Sequence, residues 1–387
     1  MDFTLSDEQR LYRETLRDFV DREIVPVARD WERSGRYPTE IVESMRKLGL
    51  FGLAIPEQYG GIDVDTVSFA LTFEEISRGW MGIAGILGSH SVSSWMIAHH
   101  GTQEQRDAYL PELATGERRT GIALTEPGAG TDLQGITTTA RRDGDDYVIT
   151  GTKTWITNAR HADPLPVLVK TDPRAEPAHR GMSILLVPAD SAGFEVTQDI
   201  GKLGYKGTES CEVVLDGVRV PSSQLLGGVE GRGLQQALSS LETGRINIAA
   251  RSVGIAQRAY DEALAYARDR TAFKQPIGDF QAVQLRLAEI AVQLQAARLM
   301  TYWAASRMDD GVRMDTESGM AKIFASETAL QCATDAMRIH GGYGYSTEFE
   351  VERLYRDAPL MSIGEGTNDV LRTVVAKSLL AGKATVG

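Results

Sequence analysis

The sequence predicts an α+β chain in three parts: an N-terminal α-helical domain over residues 1–120, a small middle β domain of barrel or sandwich type over 121–232, and a C-terminal helical domain of four-helix-bundle type over 233–387. Three observations carry this reading. Apolar residues recur with a helical period to about residue 120, in strand-like runs to about 230, and with a helical period again beyond. The run Gly227-Gly228-Val229-Glu230-Gly231-Arg232-Gly233 stands at the second change. And 387 residues exceed one compact core, domain sizes centring on about 100–150 residues.

The first helix is announced by Ser6 and Gln9, which have the spacing of a capping box, and by Tyr12, Leu16, Phe19 and Val20, which form one apolar stripe. A second helix runs through Ile41, Met45 and Leu48, with Gly49 placed to cap its end. Further helical stretches cover Val67 to Arg78 and Gln103 to Ala114.

The β-branched and apolar runs Tyr147-Val148-Ile149, Val167-Leu168-Val169 and Ile184-Leu185-Leu186-Val187 predict strands. Asp143-Gly144 and Asp216-Gly217 are hairpin-type signals, and seven of the thirteen prolines fall in this third, so turns separate the strands. Asp172 to Arg180 reads as a polar, proline-containing loop.

Alanine-rich helical runs then cover Leu234 to Arg270, Gln281 to Met308 and Asp315 to Ile339. They exceed the usual globular helix and predict an antiparallel bundle. No internal repeat or low-complexity segment interrupts the order.

Composition narrows the function. Apolar content is 42% and aromatic content 7%, as in ordinary globular proteins, and no run reaches the roughly 18–20 apolar residues that cross a bilayer. Residues Met1 to Arg10 are acidic and polar, without the features of a secretion or transit signal, so a cytoplasmic location is expected. A formal charge of −12 argues against nucleic acid or anionic membrane as partners. Cys211 and Cys332 are too few for a disulfide framework, and the histidines lack ligand-like spacing, so no metal site is expected.

Two segments carry candidate chemistry. Ile363-Gly364-Glu365-Gly366-Thr367-Asn368 sets one carboxylate in a small, glycine-flanked turn where a substrate approaches the backbone closely. Removed from water, such a carboxyl binds its proton more tightly and becomes a base matched to neutral pH; otherwise Glu365 is a solvated turn residue. Ala123-Leu124-Thr125-Glu126-Pro127-Gly128-Ala129-Gly130-Thr131-Asp132 offers glycines and hydroxyls to a polar ring edge or an anion. Its Gly128-Ala129-Gly130 is no dinucleotide fingerprint, because residue 133 is Leu and no strand-to-helix unit surrounds it.

Together with Trp155-Ile156-Thr157-Asn158, Arg270-Thr271-Ala272-Phe273, Phe280-Gln281, His340-Gly341-Gly342-Tyr343-Gly344 and Glu365-Gly366-Thr367, these segments resemble the acyl-CoA dehydrogenases in content and order, across essentially the whole chain. The resemblance implies FAD as cofactor, oxidation of an acyl-CoA thioester to its trans-2-enoyl form, and an electron-transfer flavoprotein as acceptor. It places Leu124, Thr125, Gly130 and Thr131 at the flavin pyrimidine side, Thr131 also near substrate, and Trp155, Ile156 and Thr157 beside the isoalloxazine. For Trp155 the other reading is core packing.

The resemblance further implies that Arg270, Phe273, Phe280 and Gln281, with Arg338, Gly341 and Gly342, reach the FAD of a neighbouring subunit, and that Thr367 and Asn368 contact cofactor. A guanidinium suits a pyrophosphate through its planar fork, although Arg270 otherwise complements a helix dipole. A homo-oligomer follows, a tetramer built as two dimers being the family's usual state. Lys274 and Arg338 depart from the family, which commonly has Gly and Gln at these places.

Glu242, Arg245 and Gly366 match positions that meet the acyl-CoA; Glu242 and Arg245 otherwise form an ion pair along one helix. Some members place their base where Gly244 stands, so Glu365 is left as the base. Two related activities are weighed. An oxygen-using acyl-CoA oxidase is generally longer, with a C-terminal extension not expected here, and a nitroalkane-oxidase-like enzyme has Asp as base. From another class, a non-catalytic helical scaffold or acyl-carrier-binding subunit lacks a use for Glu365, Trp155, Thr157 and Arg270.

Overall fold

The computed structural model describes residues 4–309 and 314–382, so the outer ends of the predicted first and third domains lie outside the described residues. Helix α1 (Asp7–Phe19) begins at the predicted capping box, in which Ser6 and Gln9 exchange hydrogen bonds of 3.1 Å. Next come α2 (Ala28–Ser34) and α3 (Thr39–Lys47). Gly49, at φ +73°, lies just past α3, its N–H on the Arg46 carbonyl. Helices α4 (Thr66–His100) and α5 (Gln103–Thr115) complete this part. Backbone at Trp80 leaves the helical region (φ −161°, ψ 110°), breaking α4 two residues after the predicted stretch ends.

Strands β1 (Thr139–Asp143), β2 (Asp146–Ile156), β3 (Leu165–Lys170), β4 (Met182–Val187), β5 (Phe194–Asp199) and β6 (Cys211–Pro221) form one sheet in the order β4-β3-β1-β2-β6-β5. All neighbours are antiparallel except β1 and β3. Tyr147, Ile149, Val167, Leu185, Val213 and Val218 bury one face. Asp143-Gly144 makes the expected hairpin, with Gly144 at φ +65°. Asp216-Gly217 does not. These two residues lie inside β6 opposite the single residue Thr150, a β-bulge that uses Gly217 at φ +64°.

The rest is helical: α6 (Gly233–Asp269), the short hairpin β7 (Thr271–Ala272) and β8 (Gln275–Pro276), then α7 (Gln281–Met308), α8 (Asp315–His340), α9 (Glu350–Ile363) and α10 (Asn368–Leu380). Helix α8 sits centrally, packed on α6, α7, α9 and α10. Its buried alanines, 321, 325, 329, 333 and 336, let those neighbours approach closely.

Helix α6 packs as extensively on α4 as on α8. Phe73, Ile76 and Leu87 of α4 therefore share one apolar core with Ile248, Val253, Ala333 and Leu354. Each such Leu or Ile buried stabilises by roughly 1.5–3 kcal/mol relative to exposure. No helix among the described residues is long and apolar enough to cross a membrane.

Candidate active site

Glu365 stands in the turn that joins α9 to α10. The turn bends because Glu365 (φ +55°) and Gly366 (φ +88°) both adopt left-handed backbone. For a non-glycine residue that conformation costs about 1–3 kcal/mol and persists only where its surroundings enforce it. Here Lys322 of α8 does so, its Nζ donating to the Gly366 carbonyl and to Asn368 Oδ1, each at 2.9 Å. Thr367 caps α10 by accepting from the Val370 N–H.

The Glu365 side chain points inward against α6, and the position it meets there is Gly244. Oε2 is fully buried, without a hydrogen-bond partner among the described residues. Burial raises the carboxyl to about 7, opposed by the charges of Arg251, Arg245 and Lys322. The group is thus a base held ready near neutral pH, whose Oε2 meets no hydrogen-bond donor among the described residues.

Arg245 is buried and pairs with Asp315 at the start of α8 at 2.9 Å, its Nε remaining without an acceptor. Glu242 accepts from the Met314 N–H at 3.2 Å. The ion pair weighed for these two residues along α6 is replaced by contacts to α8. Glu242 and Thr243 form part of the wall of a cleft of about 930 Å³, with Leu53, Trp95, His179 and Leu238 among the other lining residues. The cleft therefore covers the first turns of α6 and ends next to Gly244.

A second group of predicted residues lies where the β sheet meets α4. Glu126 fixes the 124–131 turn from inside: it accepts from Lys153 Nζ (2.9 Å), Thr137 N (2.6 Å) and Thr138 N (3.0 Å). Burial acts to raise this carboxyl, but the Lys153, Thr138 and Thr137 hydrogen bonds prevail and hold it near 2. Lys153 also donates to the Leu124 carbonyl. So anchored, the turn projects Gly128, Gly130 and Thr131 outward, with nothing within 4 Å of where a Cβ on Gly128 would stand. The hydroxyls of Thr125, Thr131 and Thr157 make no hydrogen bond among the described residues.

Trp155 is not a core residue. A bulge in β2 sets Thr154 and Trp155 opposite the single residue Glu212, and Trp155, at φ +63°, is turned out to 54% exposure. Ile156 points the other way into the sheet core. A flat exposed indole beside unused hydroxyls and open backbone suits a planar heteroaromatic ring. Asn158 ties this edge to α4 by donating to the Ile86 carbonyl at 2.9 Å. Gly88, further along α4, lies against Asn247 of α6, so the Trp155 edge and Glu365 border the same stretch of α4 and α6.

The remaining predicted residues gather elsewhere. Arg270 lies over the Tyr343 ring at 5.6 Å, and Phe273 meets Phe280 edge-on at 6.0 Å. Gln281 opens α7, Arg338 pairs with Asp335 at 3.2 Å, and Gly341 and Gly342 close α8, all exposed. Phe273 is 91% exposed. Arg245, a third of the way along α6, and Arg270, at its C-terminal end, lie about 37 Å apart along its axis at 1.5 Å per residue. A single chain does not bring the two sets together. Asn368 differs from the others: it is buried, and its side-chain amide is engaged with Lys322, Ser326 and Glu327 inside the protein.

Sequence reasoning missed Lys322, Glu126, Asn247 and Arg251. For Arg251 a signal existed, a lone cation in the run Ile246-Asn247-Ile248-Ala249-Ala250-Arg251-Ser252-Val253 on the same helical face as Gly244.

The chain matches three successive family descriptions: acyl-CoA dehydrogenase, N-terminal domain, over residues 6–117; middle domain, over 121–218; and C-terminal domain, over 231–380. It is 42% identical to a probable acyl-CoA dehydrogenase of Bacillus subtilis, YngJ, over 98% of this chain and 100% of that one. It is 38% identical to subunit CarC of the caffeyl-CoA reductase-Etf complex of Acetobacterium woodii, covering 97% and 99% of the two chains. Among solved structures, a glutaryl-CoA dehydrogenase of Mycobacterium smegmatis in complex with FADH2 superposes with a TM-score of 0.91 at 30% identity, covering 99% and 97%.

Proposed function

The chain belongs to the acyl-CoA dehydrogenase family, FAD-dependent oxidoreductases acting on CH–CH donors, and from that premise we propose that it oxidises an acyl-CoA thioester to the trans-2-enoyl product, with Glu365 as the base. The observation that carries the reading is the Glu365 carboxyl, raised to about 7 by burial, with Oε2 unpartnered and lying against Gly244.

The residues present fit FAD. Exposed Trp155, with the open 128–131 turn and the free hydroxyls of Thr125, Thr131 and Thr157, would receive the isoalloxazine; when bound, FAD supplies the acceptor for the β-hydride. Glu365 takes the α-proton onto its buried carboxylate. Its own backbone N–H, turned by the left-handed conformation at 365, is the donor we assign to the thioester oxygen, where charge develops as the proton leaves. Lys322 holds the turn in register through the Gly366 carbonyl. Acyl-CoA enters along the cleft that ends beside Gly244, with Glu242 and Thr243 on its wall.

We assign Arg270, Phe273, Phe280, Gln281, Arg338, Gly341 and Gly342 to the FAD of a second copy. Their distance from Trp155 and Glu365 along α6 supports this. So does the exposed apolar surface there, in which Phe273, Tyr343, Tyr345, Leu285 and Val292 are 48–91% exposed. A homo-oligomer, taken as a tetramer, covers that surface. An electron-transfer flavoprotein is the acceptor we infer, supported by the likeness to a subunit named as part of an Etf complex. Two unpaired, buried cysteines are consistent with a cytoplasmic location.

The test is anaerobic titration of the purified holoenzyme with a panel of acyl-CoAs, following flavin absorbance. At least one acyl-CoA bleaches the flavin, and Glu365→Gln retains FAD with less than ~5% of the reductive rate. An acyl-CoA panel without effect, or a Glu365→Gln variant that still bleaches, overturns the reading.

A further inference from the structure

Along α6, Gly244, Asn247 and Arg251 follow at three- and four-residue spacing and so share one face. Glu365 lies against the first of them. Helix α4 runs antiparallel along the same face and contributes little bulk: a Cβ on Gly88 would stand 2.2 Å from Asn247 Nδ2, and one on Gly85 would stand 1.8 Å from Tyr205 Oη. Further along, Ser77 donates to the Arg251 carbonyl and Arg251 Nη2 approaches Met81 Sδ at 2.9 Å. The row thus runs from the base, past a buried amide, to a buried guanidinium.

Those two polar groups have unused capacity. Asn247 is 0% exposed, and among the described residues neither Oδ1 nor Nδ2 has a hydrogen-bond partner. Arg251 is 4% exposed, lies over the Tyr205 ring at 5.3 Å, has no acceptor for Nε, and makes no ion pair among the described residues. The other buried arginines of α4, α6 and α9 differ in this respect: Arg78 pairs with Glu75 and Asp21, Arg245 with Asp315, and Arg353 with Glu350. Glu365 feels the Arg251 charge but makes no ion pair with it, and a buried cation with no carboxylate in contact is costly to keep. Its retention points to an anion delivered by something that binds.

The direction of the row identifies what that is. The cleft covers the first turns of α6, before Gly244, and on the entry route proposed above it holds the CoA side of a bound thioester. Beyond Gly244 the acyl chain therefore advances toward Asn247 and Arg251. From 244 to 251 the helix rises about 10 Å, much of it spanned by the arginine side chain, so a short acyl chain reaches the guanidinium. We propose that the face of α6 from Gly244 to Arg251 selects acyl groups ending in a carboxylate, the CoA monothioesters of short dicarboxylic acids, with Arg251 receiving the terminal carboxylate and Asn247 lying beside it. The inference rests on the dehydrogenase reading given above.

The experiment compares succinyl-, glutaryl- and adipyl-CoA with butyryl-, pentanoyl- and hexanoyl-CoA as reductants of the holoenzyme. In the best pair of equal length, the carboxylated thioester is favoured at least ~100-fold in kcat/KM, the scale of losing one partner of a buried charged contact. Arg251→Gln lowers that ratio by a similar factor, while Arg251→Lys, which keeps the cation but not the fork, retains part of it. The parental ratio stands as a test even where a buried substitution impairs folding. Neutral thioesters that reduce the flavin as well as the carboxylated ones overturn this inference and leave the dehydrogenase reading intact. A preference that survives Arg251→Gln in a folded, FAD-loaded variant also overturns the assignment. If no thioester of either class or any other acyl-CoA reduces the flavin, both readings fail together.

Discussion

The Glu365 carboxylate occupies the space that a side chain at position 244 would fill: a Cβ on Gly244 would stand 1.6 Å from Oε2 and 2.6 Å from Cδ. The base and the glycine are one arrangement divided between two elements more than a hundred residues apart in sequence. Each is intelligible only with the other.

Gly244→Ala is therefore expected to displace the carboxylate while leaving helix α6 intact, since alanine is the better helix former. Flavin reduction by the best acyl-CoA should fall ~100-fold or more, the cost typical of misplacing a reacting group by about 1 Å. FAD content should be unchanged. Stopped-flow absorbance checks the first and the protein-to-flavin ratio the second.

The raised Glu365 carboxyl has two consequences of opposite kind. Proton abstraction needs the charged form, so kcat/KM should rise with pH and level off above about 7. Stability moves the other way. A folded-state value of about 7 against an ordinary 4.5 gives a contribution that is complete below 4.5 and lost as pH rises through 7. Glu365→Gln removes that loss. Relative to the parent, its stability in urea should gain up to about 3 kcal/mol between pH 4.5 and pH 8.

Lys322 is a positioning residue. Lys322→Met should release the Gly366 carbonyl and remove a cation that favours charged Glu365. The expected result is a loss of roughly tenfold in kcat together with a pH profile displaced to higher pH. A merely structural lysine would lower activity without moving the profile.

Arg270→Ala tests the shared cofactor site. Purified protein should carry less FAD and dissociate more readily on dilution, measured by flavin absorbance and by light scattering. Unchanged FAD occupancy and particle mass would remove Arg270 from its assigned role.

Much of the architecture was legible locally. Predicted Gln281 to Met308 is the observed α7, because Pro276 and Gly278 before it and the Ala/Leu-rich run within it act on the chain where they stand. The Ser6–Gln9 box and Gly49 were legible for the same reason. Asp216-Gly217 was misread because a tight hairpin and a β-bulge both ask for left-handed glycine, and only the facing strand distinguishes them. Asn368 invited a cofactor role by its place beside the Gly-Glu-Gly turn, yet the lysine that satisfies it sits 46 residues away. Arg251 stands out as a lone cation in an apolar run, but what it and Asn247 face is set by α4, which lies in the first third of the chain.

The pairing of α4 with α6 also shapes the chain's synthesis. Helix α4 is almost wholly buried from Ser68 to Ala98, and much of what buries it is α6, which begins only at Gly233. At about 5–20 residues per second, the ribosome needs on the order of ten seconds to bridge that gap. During that interval the nascent chain presents an apolar helix with its partner still unmade, while the intervening β sheet has all of its strands and is free to fold. Until α6 arrives, the N-terminal third exposes apolar surface of the kind that chaperones bind and that aggregates when left uncovered.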